Sequence, residues 1–134
     1  MNTQLSIIIP VYNETAAINQ TLGHLAESFQ VIHPEVIVVD GNPQGTTVSA
    51  INTSFLSDQV QLKRIISKKS GRAVQMNAGA KLATGQCLLF LHVDTLLSQQ
   101  AAARMQHLLP NPSLGCGAFS LGIQHPGKAF RLIE

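Results

Sequence analysis

A histidine and an aspartate stand two residues apart at the end of an apolar run. Cys87-Leu88-Leu89-Phe90-Leu91 leads directly into His92-Val93-Asp94-Thr95. On extended chain, residues two apart point the same way, so His92 and Asp94 can face one spot. In open α/β sheets, ligands bind at the carboxyl ends of the strands. A carboxylate there suits a hard divalent cation, which prefers oxygen ligands and bridges to substrate phosphates. The competing reading is that Asp94 caps a following helix, a job for which Thr95 and Ser98 are rivals. For His92 the alternatives are a cation ligand, a contact to phosphate, or a group that orients Asp94.

Two further runs end in the same way. Leu5-Ser6-Ile7-Ile8-Ile9 stops at Pro10-Val11-Tyr12-Asn13-Glu14, and Val36-Ile37-Val38-Val39 stops at Asp40-Gly41-Asn42. Continuous β-branched runs that break off at polar residues read as parallel strands buried on both faces. Three such ends would gather their polar groups at one rim, which capping alone does not explain. Tyr12 offers a flat face on which a base can stack. Asp40 can accept hydrogen bonds from a base N–H or from ribose hydroxyls, and Arg72 can meet base or phosphate oxygens with its fork of donors. A cation at Asp94 would neutralise a diphosphate leaving group. No glycine fingerprint follows the first strand, and neither a Gly-Lys-Ser/Thr phosphate loop nor a Gly-x-Ser-x-Gly elbow occurs, so dinucleotide, P-loop and serine-hydrolase chemistry are set aside. His24, His33, His107 and His125 read as surface groups.

The elements that position these residues alternate between strand and helix. Ile18, Leu22, Leu25 and Phe29 recur at helical spacing after start signals at Asn13, Glu14 and Thr15. His33-Pro34 precedes the second strand, and Gly41 to Gly45 is turn chemistry. Thr46 to Phe55 reads as a weaker helix, rich in Thr, Ser and Asn. Val60 to Ile66 reads as a third, edge-like strand, and Arg72 to Ala83 as a helix whose Ala and Gly allow close approach to the sheet. After the Cys87 strand, Gln99 to Leu109 is a helix stopped by Pro110-Asn111-Pro112. Ala118 to Ile123 is expected to be a strand, and Ala129 to Ile133 the start of a helix with no closing element after it. This alternation predicts a parallel α/β sheet, and we expect strand order 3-2-1-4, helices on both faces, and Asp40 and Asp94 at the same edge. Gly41, Gly71, Gly79 and Gly85 are expected to serve turns and close packing.

Length and composition agree with one domain over residues 1–134. The chain is 45% hydrophobic and only 12% charged, which hints at apolar surface covered by a partner or by further chain. A formal net charge of +2 with no long basic run argues against nucleic acid. Lys63-Arg64 and Lys68-Lys69 read as solvated loop. Cys87 and Cys116 show neither metal-ligand spacing nor disulfide density, so a reducing compartment is expected, with Cys87 a small buried hydrophobe. With no signal peptide and no apolar stretch near the ~20 residues that span a bilayer, a soluble, cytoplasmic protein is expected.

Four ordered motifs, from about Leu5 onward, make the chain resemble the N-terminal part of a family 2 glycosyltransferase with the GT-A fold. Ser6 to Glu14 matches that family's opening motif and Val36 to Asn42 its second, with Asp40 as the nucleoside-binding acid. Gly71-Arg72-Ala73-Val74-Gln75-Met76-Asn77-Ala78-Gly79 matches the third. Leu89 to Thr95 stands where the Asp-x-Asp metal motif belongs, with His92 in place of the first Asp. The wording is similar to one subgroup, the selenodomain-associated glycosyltransferases.

The resemblance implies a UDP- or GDP-sugar donor bound through Mg²⁺ or Mn²⁺. It implies donor contacts at Pro10, Tyr12, Asn13, Glu14, Asp40, Gly41, Asn42, Arg72, Asn77 and Asp94, and metal ligands at Asp94 and His92. Glu14 and Asn77 have a simpler alternative, holding loop backbone. Members of the family continue further, into an acceptor site and an acidic general base. Here Glu134 is the only carboxylate side chain after Asp94. The expectation is a donor-binding half with an unknown acceptor and no transfer by this chain alone. The alternatives are a nucleotide-binding remnant, or an interaction module that pairs with another copy or with a C-terminal partner chain. A homo-oligomer with its contact after Gly115 is expected.

Overall fold

The computed structural model describes residues 4–54, 56, 58 and 60–120. Four strands, β1 (Leu5–Val11), β2 (Glu35–Asp40), β3 (Gln61–Ile66) and β4 (Cys87–Phe90), alternate with four helices. These are α1 (Ile18–Ser28), α2 (Thr46–Ser49), α3 (Arg72–Leu82) and α4 (Gln99–Leu108). The strands form one sheet in the order β3-β2-β1-β4. Every pairing is parallel, so all four carboxyl ends lie on one rim, as expected.

The central strands are buried along their whole length, which is why β1 and β2 read as unbroken apolar runs. Register divides their side chains between two layers. Leu5, Ile7, Ile9 and Val11 join Val36 and Val38 against Ile18, Leu22, Leu25 and Phe29 of the α1 side and Ala102 of α4. On the other face Ile8, Ile37 and Val39 meet Ala78, Ala80 and Ala83 at α3. That second layer is thin because α3 sits very close. A Cβ on Gly79 would lie 2.6 Å from Ile8 Cγ2, so only glycine fits there.

Among the described residues, β4 is an edge strand with β1 as its one neighbour. Leu88 and Phe90, which share the face of Ser6 and Ile8, remain 39% and 47% exposed. Part of the exposed apolar surface therefore lies on this edge, with further exposed apolar side chains such as Val31, Val74 and Leu96 elsewhere.

Several elements differ from expectation. The helix expected over Thr46 to Phe55 is a single turn ending at Ser49. In a longer helix the Ser54 N–H would donate to the Ala50 carbonyl. Instead that carbonyl accepts from Asn19 Nδ2, and the Ser54 N–H donates to Asn52 Oδ1. Side-chain amides have outcompeted the helix for its own backbone groups. Ala118 to Ser120 are exposed and irregular rather than strand. The rest of that expected strand and the helix over 129–133 lie outside the described residues. Cys87 is half-buried rather than buried, and both cysteines are free.

Lys63 is not a loop cation. It lies on β3 and pairs with Glu35, which is 1% exposed at the opposite end of the sheet from the rim. Glu35 also accepts from the Ser6 hydroxyl and from the Thr84 amide and hydroxyl, while the Gly85 amide donates to Ser6 Oγ. The cluster joins β1, β2 and β3 to the α3–β4 turn. Burial alone would raise the Glu35 pKa, but hydrogen bonds from Lys63, Ser6 and Thr84 outweigh it and hold the carboxyl at about 2.

Candidate functional site

At the rim, the ends of β1 and β4 and the start of α3 enclose a cleft of about 340 Å³. β1 contributes Pro10 and Val11, followed by Tyr12 and Glu14. The segment after β4 contributes His92, Val93 and Asp94. Ser70, Gly71, Arg72 and Gln75 close the third side. Gly71 precedes α3 with φ 129°, backbone that side-chain-bearing residues rarely adopt, and this turn presents Arg72 to the cleft. Tyr12 is 51% exposed, its ring free to take a planar ligand.

Six of the expected site residues therefore meet: Pro10, Tyr12, Glu14, Arg72, His92 and Asp94. The capping question at Asp94 has a clear answer. Ser98 caps α4, its side chain accepting from the Ala101 amide. Asp94 stays exposed, and the hydrogen bond to its carboxylate is a long one from Thr95 Oγ1, 3.4 Å away. Among the described residues no ion pair joins Arg72 to Glu14 or Asp94, so the cleft presents both signs of charge unquenched.

The donor set fits a divalent cation of a particular kind. Among the described residues no group of three or more His, Cys, Asp or Glu could hold an ion by itself. Asp94 and His92 supply one carboxylate and one imidazole, and no closed cage surrounds them. Such a sparse set suits Mg²⁺ or Mn²⁺ retained jointly by protein, water and phosphate oxygens.

The other expected residues sit around the cleft rather than in it. Asp40 is fully buried. Its Oδ1 accepts from the Asn42 amide at 2.9 Å, and its Oδ2 from the Thr47 and Val48 amides at 2.8 and 3.1 Å. Its carboxylate thus anchors α2 to the end of β2. Asn13 adopts φ 52°, a left-handed conformation that Asn tolerates better than most residues. Its Oδ1 accepts from Asn42 Nδ2 and Thr46 Oγ1, tying together the loops after β1 and β2. Asn77 is exposed on α3 and does not line the cleft.

Gly41 is explained by Gln75, a residue whose role sequence reasoning missed. Gln75 is 4% exposed. Its Nε2 donates to the Val11 and Val39 carbonyls, both at 2.8 Å, and its Oε1 accepts from the Gly71 amide. One carboxamide thereby joins the ends of β1 and β2 to the start of α3. A Cβ on Gly41 would lie 2.5 Å from Gln75 Oε1, so glycine leaves room for the amide. The available signal was a glutamine one turn into a helix of small residues. His24 was also misread: it is half-buried, with Nε2 2.6 Å from the Leu97 carbonyl.

A parallel sheet in the order β3-β2-β1-β4 with helices on both faces, and a cleft at its carboxyl rim, is the architecture of the GT-A fold. The sequence profile of Glycosyl transferase family 2 matches residues 6–124, and the chain belongs to that family. Validoxylamine A glucosyltransferase of Streptomyces hygroscopicus subsp. jinggangensis (strain 5008) is 32% identical over 120 residues, covering 84% of this chain and 28% of that protein. Its counterpart from subsp. limoneus is 33% identical over 122 residues, with 84% and 26% covered. The chain thus spans about a quarter of the length of these curated relatives.

Among solved structures, the mannosyltransferase PcManGT of Pyrobaculum calidifontis, in complex with GDP-Man and Mn²⁺, superposes with a TM-score of 0.72. It is 23% identical, with 86% of this chain and 34% of that chain covered. S. aureus TarS 1-349 in complex with UDP-GlcNAc gives a TM-score of 0.63 at 23% identity, with 81% and 31% covered. These likenesses establish the GT-A fold. No helix among the described residues is long and apolar enough to cross a membrane.

Proposed function

We propose that this glycosyltransferase domain binds a UDP- or GDP-sugar in the cleft, through a divalent cation, for transfer to an acceptor hydroxyl. The observation that carries the reading is the meeting of Tyr12, Arg72, His92 and Asp94 around one cavity although they come from three separate parts of the chain. Tyr12 provides the surface for the base, and the Arg72 guanidinium pairs with diphosphate or base oxygens. Asp94, with His92 beside it, would hold the cation. When bound, that cation neutralises the charge that develops on the departing nucleoside diphosphate. Asp40, Asn13, Asn42 and Gln75 act indirectly, by fixing the loops and the helix start from which the contacting side chains project. The complexes of PcManGT with GDP-Man and Mn²⁺ and of TarS with UDP-GlcNAc support the ligand class.

The acceptor side is a separate matter. An inverting transfer needs a base to take the acceptor proton, and between Asp94 and Glu134 the sequence holds no carboxylate side chain. Calorimetric titration of UDP and GDP, with Mn²⁺ or with EDTA, tests the reading. Binding should strengthen with Mn²⁺ and weaken in Tyr12→Ala and Arg72→Ala. Equal affinity in both variants would refute the assigned contacts.

A further inference from the structure

The stretch from Leu91 to Ser98 carries both proposed cation ligands and has no helix or strand of its own. Two side chains of α1 hold it. Thr21, 3% exposed within the apolar stripe of Ile18, Leu22 and Leu25, donates its hydroxyl to the Val93 carbonyl at 2.6 Å. One turn further on, His24 Nε2 lies 2.6 Å from the Leu97 carbonyl. A carbonyl only accepts, so Nε2 carries the hydrogen. The Val93 and Leu97 side chains are each 5% exposed in the same core. The segment is thus pinned at two points, and Asp94 lies between them.

Both bonds end on main-chain carbonyls, so they set the course of the backbone rather than the rotamer of one side chain. Neither Thr21 nor His24 lines the cleft. A cation held by one carboxylate and one imidazole has no third protein ligand to correct an error in their placement. We propose that Thr21 and His24 are positioning residues, a clamp from α1 that holds Val93–Leu97 so that Asp94 faces the nucleotide-bound cation. This rests on the donor-site reading above. Partners hydrogen-bonded to metal ligands themselves commonly change metal affinity by about 10–100-fold when removed, and ties to the backbone beside a ligand are expected to act at the lower end of that range.

A merely structural tie between α1 and the segment ahead of α4 would affect melting without separating metal-dependent from metal-independent binding. The test therefore uses the full chain, GDP and UDP as probes, and calorimetry with MnCl₂ or with EDTA. Thr21→Val keeps the shape and removes the donor, and His24→Leu removes the ring donor. Each should lower the Mn²⁺-dependent gain in nucleotide affinity about tenfold or more, while affinity in EDTA stays within about twofold. Thr21→Ser and His24→Gln retain a donor and should restore most of the gain, which keeps the test decisive if the harsher variants fold poorly. A Mn²⁺ gain in the wild-type chain that persists undiminished in Thr21→Val and His24→Leu overturns the clamp and leaves the donor site standing. No Mn²⁺ gain in the wild-type chain overturns both.

Discussion

Acid should weaken this fold through one residue far from the cleft. Glu35, the first residue of β2, is buried between Ser6 of β1 and Lys63 of β3, and its carboxyl is held at about 2 against an ordinary value of 4.5. A folded-state pKa below the unfolded one contributes stability that is fully present above about pH 4.5. It is lost as pH falls toward 2, because the unfolded chain then takes up the proton first. A carboxyl held that low contributes about 3 kcal/mol at neutral pH. Glu35→Gln keeps the side-chain shape but gives up the ion pair with Lys63, which is 44% exposed and can return to water. The expected loss at pH 7 is therefore about 3 kcal/mol, on the order of 10 °C in melting temperature for a domain of this size. Urea unfolding followed by circular dichroism from pH 7 to pH 2.5 is the assay. Wild type should lose stability faster than Glu35→Gln below pH 4.5, so that the two curves converge near pH 2. Parallel curves over that range would refute the reasoning, because the carboxylate would then make no pH-dependent contribution.

Other perturbations separate architecture from contact. Asp40→Ala strips an acceptor from the Asn42, Thr47 and Val48 amides and should cost about 3–5 kcal/mol in chemical denaturation. A stable Asp40→Ala chain that had merely changed its nucleotide preference would place Asp40 in direct contact with ligand instead. Gly41→Ala drives a methyl into the Gln75 carboxamide. It should cost about 1–3 kcal/mol alone, and a double-mutant cycle with Gln75→Ala should show coupling of about 1 kcal/mol or more; simple additivity would contradict the packing argument. The edge of β4, unpaired among the described residues, carries exposed Leu88 and Phe90 and should promote self-association. Light scattering should show mass rising with concentration and Phe90→Glu suppressing the rise, whereas a wild-type monomer at high concentration would count against that edge.

The strands were legible because burial on both faces leaves a continuous apolar run, and β1 and β2 are buried from end to end. Their parallel pairing followed from the alternation with helices, and α3 from its small residues. The meeting of Tyr12, Arg72 and Asp94 at one rim followed in turn, since parallel strands put all their carboxyl ends together. What stayed hidden depends on partners distant in sequence. Nothing local to Thr46–Phe55 shows that Asn19 will take the Ala50 carbonyl. Nothing local to His24 shows that Leu97 lies against it. Asp40 ends its strand as a ligand-binding acid would, yet the α2 amides that occupy it come seven and eight residues later. Glu35 and Lys63 are ordinary polar residues in their own segments, and only the β2–β3 register unites them. Single-strand patterns reveal where a rim is, but the buried polar bonds that hold it are long-range.

The central claim, a nucleotide-linked cation at Asp94, is tested most directly by electron paramagnetic resonance of Mn²⁺ titrated into the chain with GDP or UDP present. The account predicts that the signal of free aqueous Mn²⁺ is depleted by wild-type chain plus nucleotide, beyond what nucleotide alone removes. In Asp94→Asn, with its fold verified by circular dichroism, that extra depletion should vanish. Equal depletion by wild type and Asp94→Asn would contradict the account, because the cation would then be held without the carboxylate around which the site has been built.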